Sequence, residues 1–262
     1  MMRSLFTGAS GMAAQQMRID VTSHNLANAN TIGFRGNRAE FMDLLYQNLR
    51  VPGGTSASGN PWPDGLQVGL GVSTGAISKD FRQGSLQETG APLDMAIFGE
   101  GFFQIQLPSG DIAYTRAGSF TTDQEGRVVM HGTGYYLQPS ITVQSDGMGI
   151  TIGRDGVVSQ QLSDGTSTEL GQITLVNFVN PGGLESLGDN LFGITSASGD
   201  PIEDIAGQNG LGSISQGFTE TSNVTIVEEL VNLIISQRAF EANSKSVSTS
   251  DEMLQTAVNL KR

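Results

Sequence analysis

Apolar residues recur every seven positions at each end of the chain: Leu5, Met12, Ile19 and Leu26 near the start, then Ile226, Leu233, Phe240, Val247 and Leu254 near the finish. At about 3.6 residues per turn such positions share one narrow helix face, the face that packs lengthwise against another helix. The stretch between them reads as short strands. The expected fold is mixed α and β, with long N- and C-terminal helices pairing as a coiled coil and a central antiparallel β domain. Both ends look built for a partner, because a chain that closed its own core has little use for two helical tails so far apart.

The spacing divides the 262 residues into an N-terminal helix of a helical core domain (1–30), a connecting segment (31–70), a β domain (71–221) and a C-terminal helix (222–262) that pairs with the first. Gly8 and Gly11 cost about 1 kcal/mol each inside the first helix. They mark either close approach of a neighbouring helix or fraying of the first turns. Phe41, Leu44, Leu45 and Leu49 suggest a helical or mixed segment over 34–49. An extended arm follows at about 51–66, where Pro-Gly-Gly and Pro61-Trp62-Pro63 suit no regular element. Trp62, the only tryptophan, is its contact candidate, against its own domain or another surface.

Within the β domain, runs such as Phe102-Phe-Gln-Ile-Gln-Leu are separated by Pro108-Ser-Gly-Asp, Asp123-Gln-Glu-Gly, Arg154-Asp-Gly and Ser163-Asp-Gly. These are hairpin turns, since glycine accepts positive φ without steric cost. The last helix has neither Gly nor Pro after Thr221 and opens with Thr225 and Glu228 in the spacing of a capping box, although Ser222 or Asn223 would serve as cap equally well. Gln237, Ser244 and Asp251 fall at the alternate position of its seam, so it would pair weakly with itself.

Composition narrows the function. A hydrophobic share of 37% with 35 glycines favours an extended β-rich body over a dense enzyme core. A net charge of −12 without a cluster of Lys and Arg argues against nucleic acid or an anionic membrane as partner. Cysteine is absent, which removes disulfides, thiolate metal sites and thiol nucleophiles. No stretch approaches the roughly 20 apolar residues that insertion in a bilayer needs. The first residues lack the apolar run of roughly 7–15 that marks a cleaved secretory signal. Any export would therefore use an uncleaved N-terminal segment.

His24 and His131 are the only histidines and cannot make the usual zinc sets. Gly69-Leu-Gly71-Val-Ser-Thr-Gly75 has the wrong spacing for a dinucleotide loop. Asp123, Glu125 and Gly126 lack the later acidic ligands of a calcium loop. No Ser sits in a nucleophile elbow. The reading is of no catalytic, cofactor or metal site, and of a non-enzyme.

Ser23-His-Asn-Leu-Ala-Asn-Ala-Asn-Thr-Ile-Gly-Phe-Arg35 resembles the N-terminal signature of bacterial flagellar rod and hook proteins. Glu220-Thr-Ser-Asn-Val224, with Glu228-Glu-Leu-Val and Gln237-Arg-Ala-Phe-Glu-Ala-Asn243, resembles that family's other end. Leu93-Asp-Met-Ala-Ile-Phe-Gly-Glu-Gly-Phe-Phe103 and Tyr114-Thr-Arg-Ala-Gly-Ser-Phe120 are similar to its central domain, so the likeness runs end to end. Length and Asp43-Leu-Leu-Tyr-Gln47 favour the distal rod subunits, with the proximal rod subunits as the alternative. From another class, the alternative is a β-rich surface adhesin with helical oligomerisation tails.

The resemblance implies a structural subunit, exported by the flagellar type III apparatus without a cleaved signal and assembled into a helical homopolymer that carries torque from motor to hook. It places the chain in the basal body, in the rod that crosses the periplasm. The implied partners are other copies, the proximal rod subunits, the hook protein or its junction, and the surrounding P- and L-ring proteins. The two apolar stripes would be the assembly interface, and the arm with Trp62 would add lateral contacts.

Overall fold

The computed structural model describes residues 2–51, 53, 64–144, 147–163 and 165–260. The chain divides into two compact units. A helical unit comprises Met1–Ala27, Asn37–Ser78 and Thr225–Arg262, and a β unit comprises Asn28–Gly36 and Lys79–Val224. Residues 71–78 thus group with the terminal helices.

In the helical unit, α1 (Met2–Ala27) is followed by β1 (Asn37–Asp43), β2 (Tyr46–Arg50), β3 (Leu66–Gly69) and β4 (Val72–Lys79), and α2 (Ile226–Asn259) closes the chain. The segment expected to be helical or mixed over 34–49 is instead strand. Phe41, Leu44, Leu45 and Leu49 have a spacing that a helix face and two short strands both satisfy, and strand pairing decides between them. β1 pairs with β4, and β2 pairs antiparallel with β3. Along β1 burial alternates with the two-residue period of a half-covered strand. The arm and Trp62 fall outside the described residues, apart from Val51, Gly53, Asp64, Gly65 and Leu66, the last of which opens β3.

Strands of the β unit follow as β5 (Leu86–Glu88), β6 (Met95–Phe98), β7 (Phe103–Gln106), β8 (Ile112–Thr115), β9 (Phe120–Thr122), β10 (Val128–Met130), β11 (Tyr136–Gln138), β12 (Gly147–Ile152), β13 (Val157–Leu162), β14 (Ser167–Gln172) and β15 (Thr174–Asn177). They are completed by β16 (Glu185–Gly188), β17 (Leu191–Gly193), β18 (Ile202–Ile205), β19 (Ser213–Gln216) and β20 (Phe218–Glu220). Among the described residues the largest sheet has the order β16-β17-β8-β7-β11-β10-β9 and is antiparallel throughout. The turns read at 108–111, 123–126, 154–156 and 163–165 all join antiparallel neighbours, with positive φ at Gly110, Gly126, Gly156 and Gly165.

Adjacent residues of a strand point to opposite faces, and several strands here are apolar on both. Phe103, Ala113, Leu175 and Leu191 enter the main core with Ile97, Ile105, Leu137 and Ile214. Their chain neighbours Phe102, Tyr114, Val176 and Phe192 form a second, aromatic core with Phe178 and Leu184. Tyr114 meets Phe178 edge to face at 4.9 Å between ring centres, an arrangement that the ring quadrupoles favour. The consecutive phenylalanines at 102 and 103 therefore serve different cores.

The two units differ sharply in charge. The helical unit holds 8 cationic and 9 anionic side chains, whereas the β unit holds 6 and 17.

Candidate functional site: helix faces and a buried ion cluster

Within the helical unit α1 and α2 run antiparallel. Ser4 Oγ lies 3.2 Å from Ser250 Oγ at one end, and Asn25 Nδ2 donates to Glu229 Oε1 at 3.0 Å at the other. Between them, a Cβ added to Gly8 would stand 2.8 Å from Val247 Cγ2, and one added to Gly11 would stand 2.8 Å from Asn243 Nδ2. The register is constant to within one residue. Of the two readings of these glycines, close approach of a neighbouring helix is the one found.

The α1 face nearest α2 is thus small and polar: Ser4, Gly8, Gly11 and Asn25. Leu5, Met12, Ile19 and Leu26 lie beside it and are half-buried. On α2, Leu233, Phe240, Val247 and Leu254 are half-buried as well, but Ile226 is 44% exposed. The alternate seam position holds Ser236, Asn243 and Ser250, one residue before Gln237, Ser244 and Asp251, because the alternation runs three then four rather than four then three. Thr225 is the N-cap of α2 but makes no side-chain cap bond, so the capping box is not formed.

Away from the seam, α2 presents two aliphatic rows at four-residue spacing, Ile226-Leu230-Ile234 and Val227-Val231-Ile235, all 44–70% exposed. Side chains of this size left in water forgo roughly 1.5–3 kcal/mol each relative to full burial. The β1–β4 segment adds Met42, Leu45, Tyr46 and Leu49, each more than half exposed. Apart from Ile226, these residues are absent from the heptad reading, and they widen the candidate surface.

Asn25 was also missed. It is 3% exposed, and besides Glu229 its Nδ2 donates to the Asn37 carbonyl at 2.8 Å while its Oδ1 accepts from the Asn37 N–H at 2.8 Å. One amide thereby ties the start of β1 to both helices.

The β unit contains an ion cluster that sequence patterns do not announce. Arg35 Nη2 lies 2.8 Å from Glu220 Oε1, and Arg116 Nε donates to Glu220 Oε2 at 3.1 Å, with all three side chains at most 4% exposed. Backbone groups fill most of the remaining positions, although Arg35 Nε is buried without a partner among the described residues. Arg116 donates to the carbonyls of Gly101 (2.6 Å) and Gly99 (2.8 Å), Arg35 to that of Arg82 (3.0 Å), and the Gly84 N–H donates to Glu220 Oε1 (2.8 Å). Burial lowers the Arg116 guanidinium from its ordinary value, and Glu220 opposes that shift. Asn223 binds the adjoining loop segments: its Oδ1 accepts from Gly36 N–H, and its Nδ2 donates to the carbonyls of Asp80 and Arg82.

The carboxylates weighed as a calcium loop have another use. Asp123 and Glu125 both pair with Arg127, which stacks on Tyr136 at 4.2 Å. Among the described residues no three His, Asp or Glu side chains are arranged to hold a metal ion, and no helix is long and apolar enough to cross a membrane.

Three family models match in order along the chain. "Flagella basal body rod protein" covers residues 5–35, "Flagellar hook protein FlgE/F/G D1 domain" covers 96–160, and "Flagellar basal body rod FlgEFG protein C-terminal" covers 215–260. The flagellar basal-body rod protein FlgG of Buchnera aphidicola subsp. Acyrthosiphon pisum is 50% identical over 97% of this chain and 98% of its own. FlgG of Caulobacter vibrioides is 48% identical over 99% of this chain and all of its own. FlgF of the same organism also matches, over 97% of this chain and 96% of its own, but at only 32% identity. Half-identity sustained over both lengths, stronger toward FlgG than FlgF, means that this chain belongs to the FlgG family of flagellar basal-body rod proteins.

Proposed function

We infer that the chain is a structural subunit of the distal rod of the bacterial flagellum, which polymerises into a helical tube and transmits torque from motor to hook. The supporting observation is the aliphatic face of α2, which α1 leaves uncovered and which further copies of the same helices would bury. The seven-residue period of half-buried positions on α2 supports a coiled-coil pairing with α1, and the heptad residues of both helices with the exposed rows then form the assembly interface. A heterologous contact repeated along a screw axis extends without closing. The work is mechanical rather than catalytic.

In this reading the rod crosses the periplasm and joins proximal rod subunits on one side and the hook or its junction on the other. The chain leaves the cytoplasm through the type III apparatus with its N-terminal segment retained, in keeping with the place of α1 in the helix pair. The arm at 51–66, with Trp62, supplies lateral contacts that stiffen the tube. The excess of carboxylates on the β unit suits a surface that turns inside the P- and L-rings without adhering, provided the ring walls carry the same sign.

Electron microscopy of basal bodies from cells lacking the chain tests the reading. The expected image is a rod that ends short and carries no hook, with the height of the break separating distal from proximal. A complete rod and hook would refute it. Complementation with Leu233→Asp or Phe240→Asp should leave the short rod, and with a shortened arm should restore a rod of lower bending stiffness.

A further inference from the structure

Two members of the buried ion cluster, Arg35 and Glu220, come from opposite ends of the β unit, and Arg116 comes from its middle. Arg35 lies in its first segment, Arg116 directly follows β8, and Glu220 is the last residue of β20, 185 and 104 residues beyond its partners. Among the described residues no other carboxylate forms an ion pair with either arginine; the neighbouring Asp80 pairs with Arg82 at the surface. Until Glu220 is in place, closing the β unit would bury two guanidinium ions without their direct ion-pair partner, leaving only the more distant fields of Asp80 on Arg35 and Glu100 on Arg116, a state that desolvation disfavours.

Strand pairing has the same order. β5 pairs with β20 and β6 with β19, so two of the earliest strands have their partners among the last. Leu211 and Ile214 of the main core arrive at the same late stage. Glu220 also accepts the Gly33 N–H at its backbone carbonyl (2.8 Å) and the Gly84 N–H at its carboxylate (2.8 Å), fastening both early segments at once.

We propose that Glu220 is a keystone: the β unit stays open until residues 213–220 arrive, and the Glu220 carboxylate makes closure conditional on completion of nearly the whole chain. A chain delivered N-terminus first would thus be kept from closing its β unit early. That use rests on the rod reading, whereas the order of folding does not.

Pulse-labelled hydrogen exchange during refolding of the full-length chain tests the order. The amides of β7 and β8 should gain protection in the same phase as those of Gly84 and Thr221. Glu220→Gln should slow that phase about tenfold or more, whereas Arg116→Met, which leaves the neutral Arg35–Glu220 pair, should slow it less. Protection of β7 and β8 before residues 213–221, or an unchanged rate in Glu220→Gln, would overturn the keystone. If Glu220→Gln does not fold, the triple variant Arg35→Gln, Arg116→Gln, Glu220→Gln decides. It removes all three charges while keeping amide donors for the carbonyls of Arg82, Gly99 and Gly101 and an acceptor for the Gly84 N–H, and it should recover the fold; failure to recover would overturn charge balance as the condition for closure. None of these outcomes depends on assembly, so failure of the keystone and failure of the rod reading are distinguishable.

Discussion

With Glu220 replaced by Gln, Arg35 and Arg116 would remain 1% and 4% exposed without a direct ion-pair partner. Breaking a buried pair in this way costs about 3–5 kcal/mol, far more than a surface pair contributes. Glu220→Gln should therefore lower the urea midpoint sharply, while Arg82→Gln, whose side chain pairs with Asp80 but is 86% exposed, should barely move it. Lys79 offers a second test at this scale. Its ammonium sits 5.7 Å from the Phe34 ring centre and 5.6 Å from that of Phe192, and burial lowers it from its ordinary value. The unfolded chain then binds more protons between the lowered and ordinary values, so stability rises with pH across that window and levels off above it. The penalty is present in full below the lowered value. Lys79→Met should flatten this alkaline rise, which urea midpoints at neutral and alkaline pH would reveal.

Helix propensity and close packing pull in opposite directions along α1. Replacing Gly11 by a larger residue gains about 1 kcal/mol of propensity. A leucine there must displace Asn243, and overpacking of that kind costs about 1–3 kcal/mol. Gly11→Leu should be net destabilising and should speed amide exchange across α2; slower exchange would mean that the helices can separate freely to admit it. At this scale the sequence was legible wherever a period governs the element. Heptads announced α1 and α2, and glycine turns announced the β7–β8, β9–β10, β12–β13 and β13–β14 hairpins. It was ambiguous where two periods fit the same residues, as at Phe41, Leu44, Leu45 and Leu49. The seam of α2 was displaced by one residue because Leu233 to Phe240 can be bridged through Ser236 or Gln237, and spacing alone does not choose. The ion cluster left no local trace, since its members are far apart in sequence and belong to no repeating pattern. They do lie within the motifs that carry the family likeness, at Arg35, Arg116 and Glu220.

For the whole molecule, the proposed assembly face can be tested separately from the helix pairing. Ile234 is 56% exposed, next in sequence to the half-buried Leu233 but outside the seam. Ile234→Asp should leave the monomer's helicity and melting temperature unchanged yet yield no rod in complemented cells, whereas Leu233→Asp should also loosen the helix pair. The β unit, with its 17 anionic against 6 cationic side chains, sets a different condition. Exposed like charges more than a Debye length apart are screened, and that length is about 8 Å at physiological salt. Self-association of the purified chain should strengthen as salt is raised, which sedimentation velocity would measure; weakening would point to attraction between opposite charges as the dominant contact.

The helical unit takes in α1 and α2, and the β unit is made of two stretches of chain, Asn28–Gly36 and Lys79–Val224, that lie between those helices in sequence. A reporter peptide or dye joined beside α1 or α2 would burden the helices that we propose carry assembly. The exposed β7–β8 turn at Pro108–Asp111 is the better attachment point. There, single-molecule imaging of a labelled structure need not trade brightness against incorporation.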